Sequence, residues 1–390
     1  MTHQGASRTR GIEPFYVMEI VKEARRLSAA GRPIVHLSIG EPDFTAPPPV
    51  QAAAHRAIEA GLTQYTPALG TDALRETIAA DYERRFGLAV DPERIVVTAG
   101  ASGALLLALA ALLERERSVL MPDPSYPCNR HFAAVFEGRA QLLPCGPATR
   151  FQPTAEMIEQ AWIADSAGVL LASPSNPTGT SVEPGGLAEI ANCVRARSGF
   201  LIVDEIYQGL VYEHEPSTAL SLGEDVLALA SFSKYFNMTG WRLGWLVAPR
   251  SLVPTLEKLA QNLFICPSAI AQHAALACFC PEALDIYEQR REEFRRRRNF
   301  LLPALRDLGF QIPVVPDGAF YIYADISRFG ANSWDFAFEL LRETGVCVVP
   351  GRDFGRAETA RYVRISYANK QENLEEAINR LGRYLCQRAH

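Results

Sequence analysis

The chain has 390 residues and a formal net charge of −5, with 48% hydrophobic and 21% charged residues. This length favours a globular protein of two domains, and the negative charge disfavours nucleic-acid and anionic-membrane partners. No stretch of about 18 apolar residues predicts a membrane span, the first ten residues lack the apolar core of a signal peptide, and the eight cysteines lack metal-ligand spacing. We therefore expect a cytoplasmic protein with reduced thiols and no metal site.

The first part of the chain combines helices with a segment rich in glycine and proline. Helical spacing of apolar residues and helix-start signals predict helices over 13–30, 50–60 and 71–86. A short strand is predicted over 33–39, and the glycine- and proline-rich residues 40–49 favour neither regular element. A regular alternation of elements therefore begins only at Arg94.

From Arg94 to Ala248, short apolar strands alternate with helices. Strands are predicted over 94–98, 118–121, 168–172, 200–204, 226–230 and 243–248. Helices are predicted over 103–116, 128–136 and 186–197. This alternation is typical of βαβ units, which build a mostly parallel sheet buried on both faces. The carboxyl ends of such strands, and the loops that follow them, lie along one edge of the sheet.

A second, smaller α/β unit is predicted in the carboxyl-terminal part of the chain. Its predicted elements are helices over 281–308, 334–344 and 371–385 and strands over 319–324, 347–349 and 363–368. The helix over 13–30 has no place in the first sheet, so we assign it to this smaller unit. The sequence therefore predicts a large domain over residues 46–285 and a small domain that combines residues 286–390 with an amino-terminal segment, residues 1–45.

Lys234 lies between two predicted buried strands rather than in a solvent loop. Burial disfavours the charged ammonium, so such a lysine is either paired or ready to lose its proton and react as a nucleophile. Ser231, Ser233 and Arg242 near it supply hydroxyl groups and a fixed positive charge, which are groups that bind an anion. This arrangement indicates an amine that forms a Schiff base beside a phosphate.

Two other predicted loops carry small or aromatic residues after a strand. Gly100, Ala101 and Ser102 follow the strand over 94–98 and open a helix, where backbone N–H groups can bind an anion. Tyr126 lies near two prolines and could stack on a flat ring. Taken alone, the first feature is more often a tight turn and the second a packed loop residue, so neither is specific by itself.

Two more loops add polar groups at strand ends. Asn176 precedes Pro177, which restrains its backbone and therefore the direction of its amide. Asp204 ends an apolar strand, with Tyr207 close behind it, and a carboxylate buried there needs a partner such as a structural arginine or a protonated ring nitrogen. Each feature alone has a structural explanation, but five loops on one sheet edge supply partners for every functional group of pyridoxal 5′-phosphate (PLP). The sequence therefore predicts a PLP site.

The order and spacing of short motifs extend this prediction. The motifs are GEPDF at 40–44, YTPALGTDALR at 65–75, DPSYP at 123–127, SNPTGT at 175–180, VDEIY at 203–207, SFSK at 231–234, MTGWRLGW at 238–245, PDGAFY at 316–321 and VRISYA at 363–368. With the small-residue turn at Gly100, this set resembles the class I/II aminotransferases, which are fold-type I PLP enzymes, from about Phe15 to Leu385. The resemblance implies an aspartate aminotransferase-like fold, with a large domain in α/β/α layers and a smaller α/β domain.

The resemblance also implies roles for residues in the coenzyme site. Lys234 would form the internal aldimine and act as general acid and base, while Asp204 would pair with the pyridine N–H. Tyr207 and Asn176 would hydrogen-bond the phenolate oxygen, and Tyr126 would stack on the ring. The phosphate would be held by Gly100, Ala101, Ser102, Ser231 and Arg242, with Ser233 beside them in the coenzyme site. Catalysis would therefore depend on Lys234, Asp204 and Tyr207.

Two further implications concern the substrate and the oligomer. Arg364 would clamp the substrate α-carboxylate through two N–H groups, helped by the backbone at Gly40 and by Asn176. Tyr65 would reach the phosphate bound by the other subunit. The resemblance therefore implies a homodimer with active sites at the interface.

The reaction implied by the resemblance is ping-pong transfer of an amino group between an L-amino acid and a 2-oxo acid. A PLP-dependent C–S β-lyase on the same scaffold stays open as an alternative. A non-catalytic PLP-binding transcription regulator is disfavoured, because only about ten residues precede the predicted fold and could hold a DNA-binding domain. The leading prediction is therefore a transaminase.

The sequence also suggests a substrate class. The predicted side-chain pocket contains Phe15, Tyr16, Ile39, Phe264 and Phe320. These residues are apolar or aromatic, which favours a neutral or aromatic amino acid. Ser102 stands near a position where some acidic-substrate members of the family carry a lysine, so a dedicated aspartate specificity is disfavoured.

Overall fold

The chain adopts an α/β fold, which a computed structural model describes over residues 5–388. Its strands are β1 Val35–His36, β2 Ile95–Thr98, β3 Ser118–Asp123, β4 Arg139–Pro144, β5 Ser166–Ala172, β6 Phe200–Asp204, β7 Leu227–Ser231, β8 Gly244–Val247, β9 Tyr321–Asp325, β10 Val346–Cys347, β11 Val349–Pro350 and β12 Tyr362–Ser366. Its α-helices are α1 Val17–Ala29, α2 Pro48–Glu59, α3 Asp72–Phe86, α4 Gly100–Leu112, α5 Cys128–Val135, α6 Ala155–Ala161, α7 Pro184–Arg195, α8 Val253–Leu263, α9 Ala269–Ala275, α10 Pro281–Asp307, α11 Ser333–Thr344 and α12 Gln371–Arg388. Within that range, none of the helices is both long and apolar enough to cross a membrane.

Seven strands form the main sheet, in the order β2-β8-β7-β6-β5-β3-β4. All neighbouring pairs are parallel except the two that β8 makes with β2 and β7. Strand β8 is antiparallel because residues 232–243, which connect it to β7, contain no helix long enough to carry the chain back across the sheet. The mostly parallel sheet predicted from the sequence is confirmed.

Side chains alternate between two buried faces along the central strands. Leu170 of β5 and Ile202 of β6 pack in one cluster with α4 and α8. Leu171 of β5 and Val203 of β6 pack in another cluster with α6 and α7. This period of two buries both faces of the sheet under helices, so its strands are continuous apolar runs. The predicted α/β/α layers are confirmed.

The carboxyl ends of the parallel strands define the edge that carries the site. Asp204, the last residue of β6, pairs with Ala172, the last residue of β5. Thr98 of β2 and Ser231 of β7 both pair with Gly244 of β8, which places their ends level. The loops that leave this edge carry Gly100, Tyr126, Asn176, Tyr207 and Lys234.

Two small sheets form outside the main sheet, from strands of the carboxyl-terminal part of the chain and β1. Strand β12 lies between β11 and β9 in an antiparallel sheet, and β1 pairs in parallel with β10. Helix α1 packs against α11, β10 and β11. One core cluster includes Val97 of the main sheet and Ile365 of the small one. The domain limits near residues 45 and 285 stay a prediction, and the strand predicted over 33–39 is shorter than expected.

A loop beside the small sheet, residues 351–357, is attached to the end of β3. Both carboxylate oxygens of Asp123 accept a hydrogen bond from the backbone N–H of Arg356, at 3.1 and 2.9 Å. Oδ2 also accepts one from the N–H of Ala357 at 3.1 Å. Gly355 approaches this carboxylate so closely that a Cβ atom there would overlap Oδ1. The attachment therefore requires glycine at this position.

Replacing Gly355 by alanine should destabilise the protein by about 1–3 kcal/mol, because the added methyl group must displace the buried Asp123 carboxylate. We expect a lower unfolding midpoint than wild type in differential scanning fluorimetry. Gly330→Ala is the matched control, since a Cβ atom there meets nothing within 4 Å. Equal midpoints for the two variants would contradict the close approach at Gly355.

Candidate active site

A cavity of about 270 Å³ lies at the carboxyl edge of the main sheet. The residues that the sequence singled out and that line it are Gly40, Ala101, Ser102, Tyr126, Asn176, Asp204, Tyr207, Ser231, Ser233, Lys234, Arg242 and Arg364. Gly100 is not in the lining but lies directly behind Arg242. Tyr65 lies outside the cavity, with 84% of its surface exposed. Loops that are distant in sequence therefore converge on one site.

Lys234 lies in the loop between β7 and β8, and its Nζ donates a hydrogen bond to the Gly40 carbonyl oxygen at 2.6 Å. Burial lowers the pKa of this amine to about 8. The guanidinium groups of Arg364 and Arg242 act in the same direction, whereas the Glu41 carboxylate opposes them. Part of the amine is therefore uncharged, and so nucleophilic, close to neutral pH.

The start of α4 and the β7–β8 loop form an anion-binding end of the cavity. Gly100 has a φ of +74°, and a Cβ atom on it would lie 2.5 Å from Nη2 of Arg242, so glycine lets the guanidinium approach the helix N-terminus. The Oγ atoms of Ser231 and Ser233 are 2.9 Å apart, and Ser102 lines the same cavity. Helix N–H groups, hydroxyl groups and a guanidinium together fit a phosphate group.

Asp204 is buried at the end of β6, and its Oδ1 accepts a hydrogen bond from the backbone N–H of Ile206 at 3.0 Å. Burial raises the pKa of its carboxyl group to about 7, although that N–H and the Lys234 ammonium oppose the shift. No arginine pairs with this carboxylate in the described part of the chain. A structural arginine is thereby ruled out as its partner within residues 5–388, and a protonated ring nitrogen fits the position.

Tyr207 and Tyr321 meet in the cavity through their hydroxyl groups, whose oxygen atoms are 2.8 Å apart. Both side chains are buried, and their rings pack edge to face with centroids 5.8 Å apart. Sequence reasoning missed Tyr321, although it ends the motif PDGAFY, because one sequence does not show which tyrosines are neighbours. This hydrogen bond holds the two hydroxyl groups together in the lining of the cavity.

Arg364 projects from β12 and is held on several sides. Its Nη1 donates to Oδ1 of Asn176 at 2.9 Å, and its Nη2 donates to the Ser38 carbonyl oxygen at 2.8 Å. Its guanidinium carbon lies 4.4 Å from the ring centroid of Tyr321 and 4.9 Å from that of Phe354. Nε is buried and has no hydrogen-bond partner among the described residues. A planar guanidinium that is fixed in this way and lines the cavity is suited to bind a carboxylate.

Apolar side chains form another wall of the cavity: Phe15, Val17, Leu105, Ile206 and Phe354. The predicted pocket residues that do not line the cavity are Tyr16, Ile39, Phe264 and Phe320. Phe320 is fully buried behind Tyr207, with ring centroids 5.6 Å apart. Tyr16 packs against Trp334 instead. Of the predicted set, only Phe15 therefore belongs to the wall.

Comparisons with known proteins show which family the chain resembles in sequence and fold. Residues 32–381 match the family model described as aminotransferase class I and II. The chain is similar to the valine–pyruvate aminotransferase of Mycobacterium tuberculosis, with 42% identity over 387 residues that cover 99% of each chain. A solved aminotransferase structure from Mycobacterium tuberculosis is 42% identical with a TM-score of 0.95, and covers 99% of this chain and 100% of its own. The aspartate aminotransferase of Thermus thermophilus with maleate is 32% identical with a TM-score of 0.92, over 98% of this chain and 100% of its own.

Class I/II aminotransferases of this fold use PLP, and the coenzyme predicted from the sequence is therefore confirmed. The predicted fold and reaction class agree with the same relatives, which are named aminotransferases. The family match and the identity to relatives extend over nearly the whole chain. The chain therefore belongs to the class I and II aminotransferases, enzymes that transfer amino groups with PLP.

Proposed function

We propose that this transaminase moves the amino group of a neutral L-amino acid to a 2-oxo acid by a ping-pong reaction, with Lys234 as the residue that binds the coenzyme carbonyl and moves the proton. The observation that carries the proposal is the convergence of Lys234, Asp204 and Arg242 on one cavity. These side chains provide a partly uncharged amine, an unpaired buried carboxylate and an anion-binding group. They match the carbonyl, ring nitrogen and phosphate of PLP.

The remaining cavity residues would hold the coenzyme and orient it. When bound, PLP supplies an electron sink for the electrons of the substrate Cα–H bond. Asp204 would keep the ring nitrogen protonated, Tyr126 would cover the ring, and Asn176 with Tyr207 would bind the phenolate oxygen. The proposed phosphate-binding residues are Gly100, Ala101, Ser102, Ser231, Ser233 and Arg242.

The chain's own residues can place and move the substrate proton. Arg364, which lines the cavity, would hold the substrate carboxylate through its Nη groups, helped by Asn176 and by the backbone at Gly40. This contact would bring the substrate Cα near Lys234. In its uncharged form, the Lys234 amine can accept the Cα proton and return it at another atom, as a general base and then a general acid.

The charges in the cavity support a substrate with an uncharged side chain. The cations that line the cavity in the described chain are Lys234, Arg242 and Arg364. Each of them already has a proposed partner, namely the carbonyl, the phosphate and the α-carboxylate. Asp353 adds a carboxylate to the same wall, which disfavours a second substrate carboxylate. The similarity to a relative named valine–pyruvate aminotransferase agrees with this choice.

We propose three further properties of the whole molecule. The exposed position of Tyr65 supports a homodimer in which this residue reaches the phosphate site of the other subunit. The eight cysteines are all free, which supports a cytoplasmic location with reduced thiols. The two small sheets beside α1 support a small domain built from residues 1–45 and 286–390, next to a large domain over residues 46–285.

The purified enzyme should transfer amino groups from valine or phenylalanine to pyruvate or 2-oxoglutarate, with kcat/KM at least about tenfold higher than for aspartate. Lys234→Ala should lower this activity by at least about a hundredfold, because the proton-transfer group is lost. It should also abolish the borohydride-stable link to PLP. Lys258→Ala is the control, since Lys258 is an exposed residue outside the cavity.

Three results would overturn parts of this proposal. A preference for aspartate would contradict the proposed substrate class. Pyruvate and ammonia released from cystathionine without a 2-oxo acid would identify the C–S β-lyase instead. A borohydride-stable adduct on another lysine in wild type would remove the role of Lys234.

Asp204→Asn should stabilise the cofactor-free protein above neutral pH. The raised pKa of Asp204, about 7 against an ordinary 3.8, means that stability from this group is complete below pH 3.8 and is lost as the pH rises through 7. Asparagine carries no charge at any pH, so the gain over wild type should grow between pH 5 and pH 8 to about 2–4 kcal/mol. Unfolding midpoints across this range measure it.

The same Asp204→Asn variant should bind PLP more weakly, because a protonated ring nitrogen loses its anionic partner.

Asp225→Asn is the control for the stability measurement. The exposed Asp225 carboxylate pairs with Arg195, which lowers its pKa, so no gain in stability is expected on raising the pH. A difference in unfolding midpoint between Asp204→Asn and wild type that stays constant from pH 5 to pH 8 would contradict the predicted growth in stability.

Mixing two impaired variants should restore activity if Tyr65 serves the site of the other subunit. Tyr65→Ala should lose about tenfold in activity through one missing phosphate hydrogen bond, and Lys234→Ala should be inactive. A mixed dimer contains one site with both residues intact, so refolding equal amounts together should return about a quarter of wild-type activity. Activity that only averages the two parents would count against a shared site.

A further inference from the structure

The first turn of α1 is joined to loop 351–357 by one buried side chain, Asp353. This residue is 1% exposed and lines the cavity. Its Oδ1 accepts a hydrogen bond from the backbone N–H of Tyr16, and its Oδ2 accepts one from that of Val17, each at 3.0 Å. A carboxylate more than 330 positions away in sequence therefore caps the helix that begins the small unit.

This long-range cap replaces a local one. No side chain at the N-cap position of α1 makes a capping hydrogen bond, although the first N–H groups of a helix have no partners within the helix. The Asp353 carboxylate satisfies two of them and places its negative charge at the positive end of the helix dipole. Charge-assisted hydrogen bonds of this kind are stronger than those of a neutral cap.

Other contacts hold the same junction. Arg130 of α5 donates from Nη2 to the Asp353 carbonyl oxygen at 3.3 Å and to the Glu13 carboxylate at 3.4 Å. The Arg352 guanidinium carbon lies 4.8 Å from the ring centroid of Tyr16. Besides the Asp353 cap, two further contacts therefore hold the segment that leads into α1, one at Glu13 and one at Tyr16.

We propose that Asp353 is a positioning residue that sets the amino-acid specificity of the enzyme by holding Phe15 and Val17 in the cavity wall. Both residues line the cavity, and Val17 carries one of the two N–H groups that Asp353 binds. Phe15 is 38% exposed, so its side-chain packing restrains it little. Its position depends instead on the residues that follow it, Tyr16 and Val17, whose N–H groups Asp353 binds. The kinetic part of this inference rests on the proposed function, whereas the cap itself does not.

The same loop also reaches the carboxylate clamp. Phe354, which follows Asp353, packs against the Arg364 guanidinium at 4.9 Å. One loop therefore supports both the residue proposed to bind the α-carboxylate and the turn that forms the side-chain wall. A substrate too small to reach Phe15 and Val17 should depend only on the contact between Phe354 and Arg364. A bulky substrate should depend on that contact and also on the turn that holds Phe15 and Val17.

Hydrogen exchange tests the cap without using activity. In PLP-loaded Asp353→Ala, the amides of Tyr16 and Val17 should exchange about tenfold to hundredfold faster than in wild type, because two charge-assisted hydrogen bonds are lost. Asp353→Asn should be intermediate, since its amide oxygen can accept one bond while its NH₂ group faces the other N–H. Unchanged exchange in Asp353→Ala would overturn the proposal.

Steady-state kinetics test the specificity. Asp353→Ala should lower kcat/KM for valine and phenylalanine by about tenfold, mainly through KM, and lower that for alanine by less than about twofold. Phe15→Ala should give the same loss for bulky substrates with normal exchange at Val17, which keeps the proposal testable if Asp353→Ala folds poorly. An equal loss for all three amino acids would show a general defect and overturn the proposal.

Thr154→Ala is the matched control, because Thr154 caps α6 through the N–H of Met157 and lies outside the cavity. It should lower stability without changing the ratio between valine and alanine. The two proposals fail separately: wild type without activity on any neutral amino acid removes the proposed function, and unchanged exchange in Asp353→Ala removes the cap.

Discussion

The site depends on two ionisable groups at one edge of the sheet, the half-buried Lys234 amine and the buried Asp204 carboxylate, which both need partners. Burial is the main cause of both pKa shifts and brings them close to neutrality, to about 8 for Lys234 and about 7 for Asp204. Burying such groups costs free energy unless a partner of opposite charge is present. The parallel strands hold Asp204 in place regardless, because its backbone is part of the ladder with Ala172. A bound cationic ring would therefore offset a cost that the fold already carries.

The site also depends on a fixed guanidinium, that of Arg364. Residues of both the main sheet and the small sheet hold it in place. Arg364 comes from the small sheet, but its hydrogen bond to Asn176 reaches a loop of the main sheet. Tyr321 packs under the same guanidinium and bonds to Tyr207 at the end of the main sheet. The position of Arg364, the proposed carboxylate-binding residue, is thus tied to that of the residues proposed to hold the coenzyme. Relative movement of the two sheets would change the distance between Arg364 and the residues proposed to hold the coenzyme. The contact between loop 351–357 and β3 opposes such a movement, because it ties the loop to the main sheet.

The sequence predicted the elements whose signal is local. Strands β7 and β8 are continuous apolar runs, so Lys234 could be placed between them from the sequence alone. Strand β4 was missed because Leu143 is its one buried residue and no long apolar run marks the strand. The contacts of Asp353 with Tyr16 and of Tyr321 with Tyr207 were also missed, since they join residues 337 and 114 positions apart. Motif order gave the residues that are proposed to hold the coenzyme, most of which line one cavity, whereas the wall of the cavity depends on packing that no single sequence displays.

This difference also explains how one scaffold can serve several substrates. A relative named for valine–pyruvate transamination matches this chain in sequence over nearly its full length, and a solved aspartate aminotransferase shares its fold. The fold itself therefore does not determine the substrate. The groups proposed to hold PLP lie at strand ends, where the hydrogen-bonded sheet leaves little freedom. Phe15, Val17 and Asp353 come instead from a helix start and a loop, outside the hydrogen-bonded strands of the main sheet. We therefore propose that substrate choice in this chain depends on the junction of α1 and loop 351–357, and that the chemistry depends on the residues at the sheet edge.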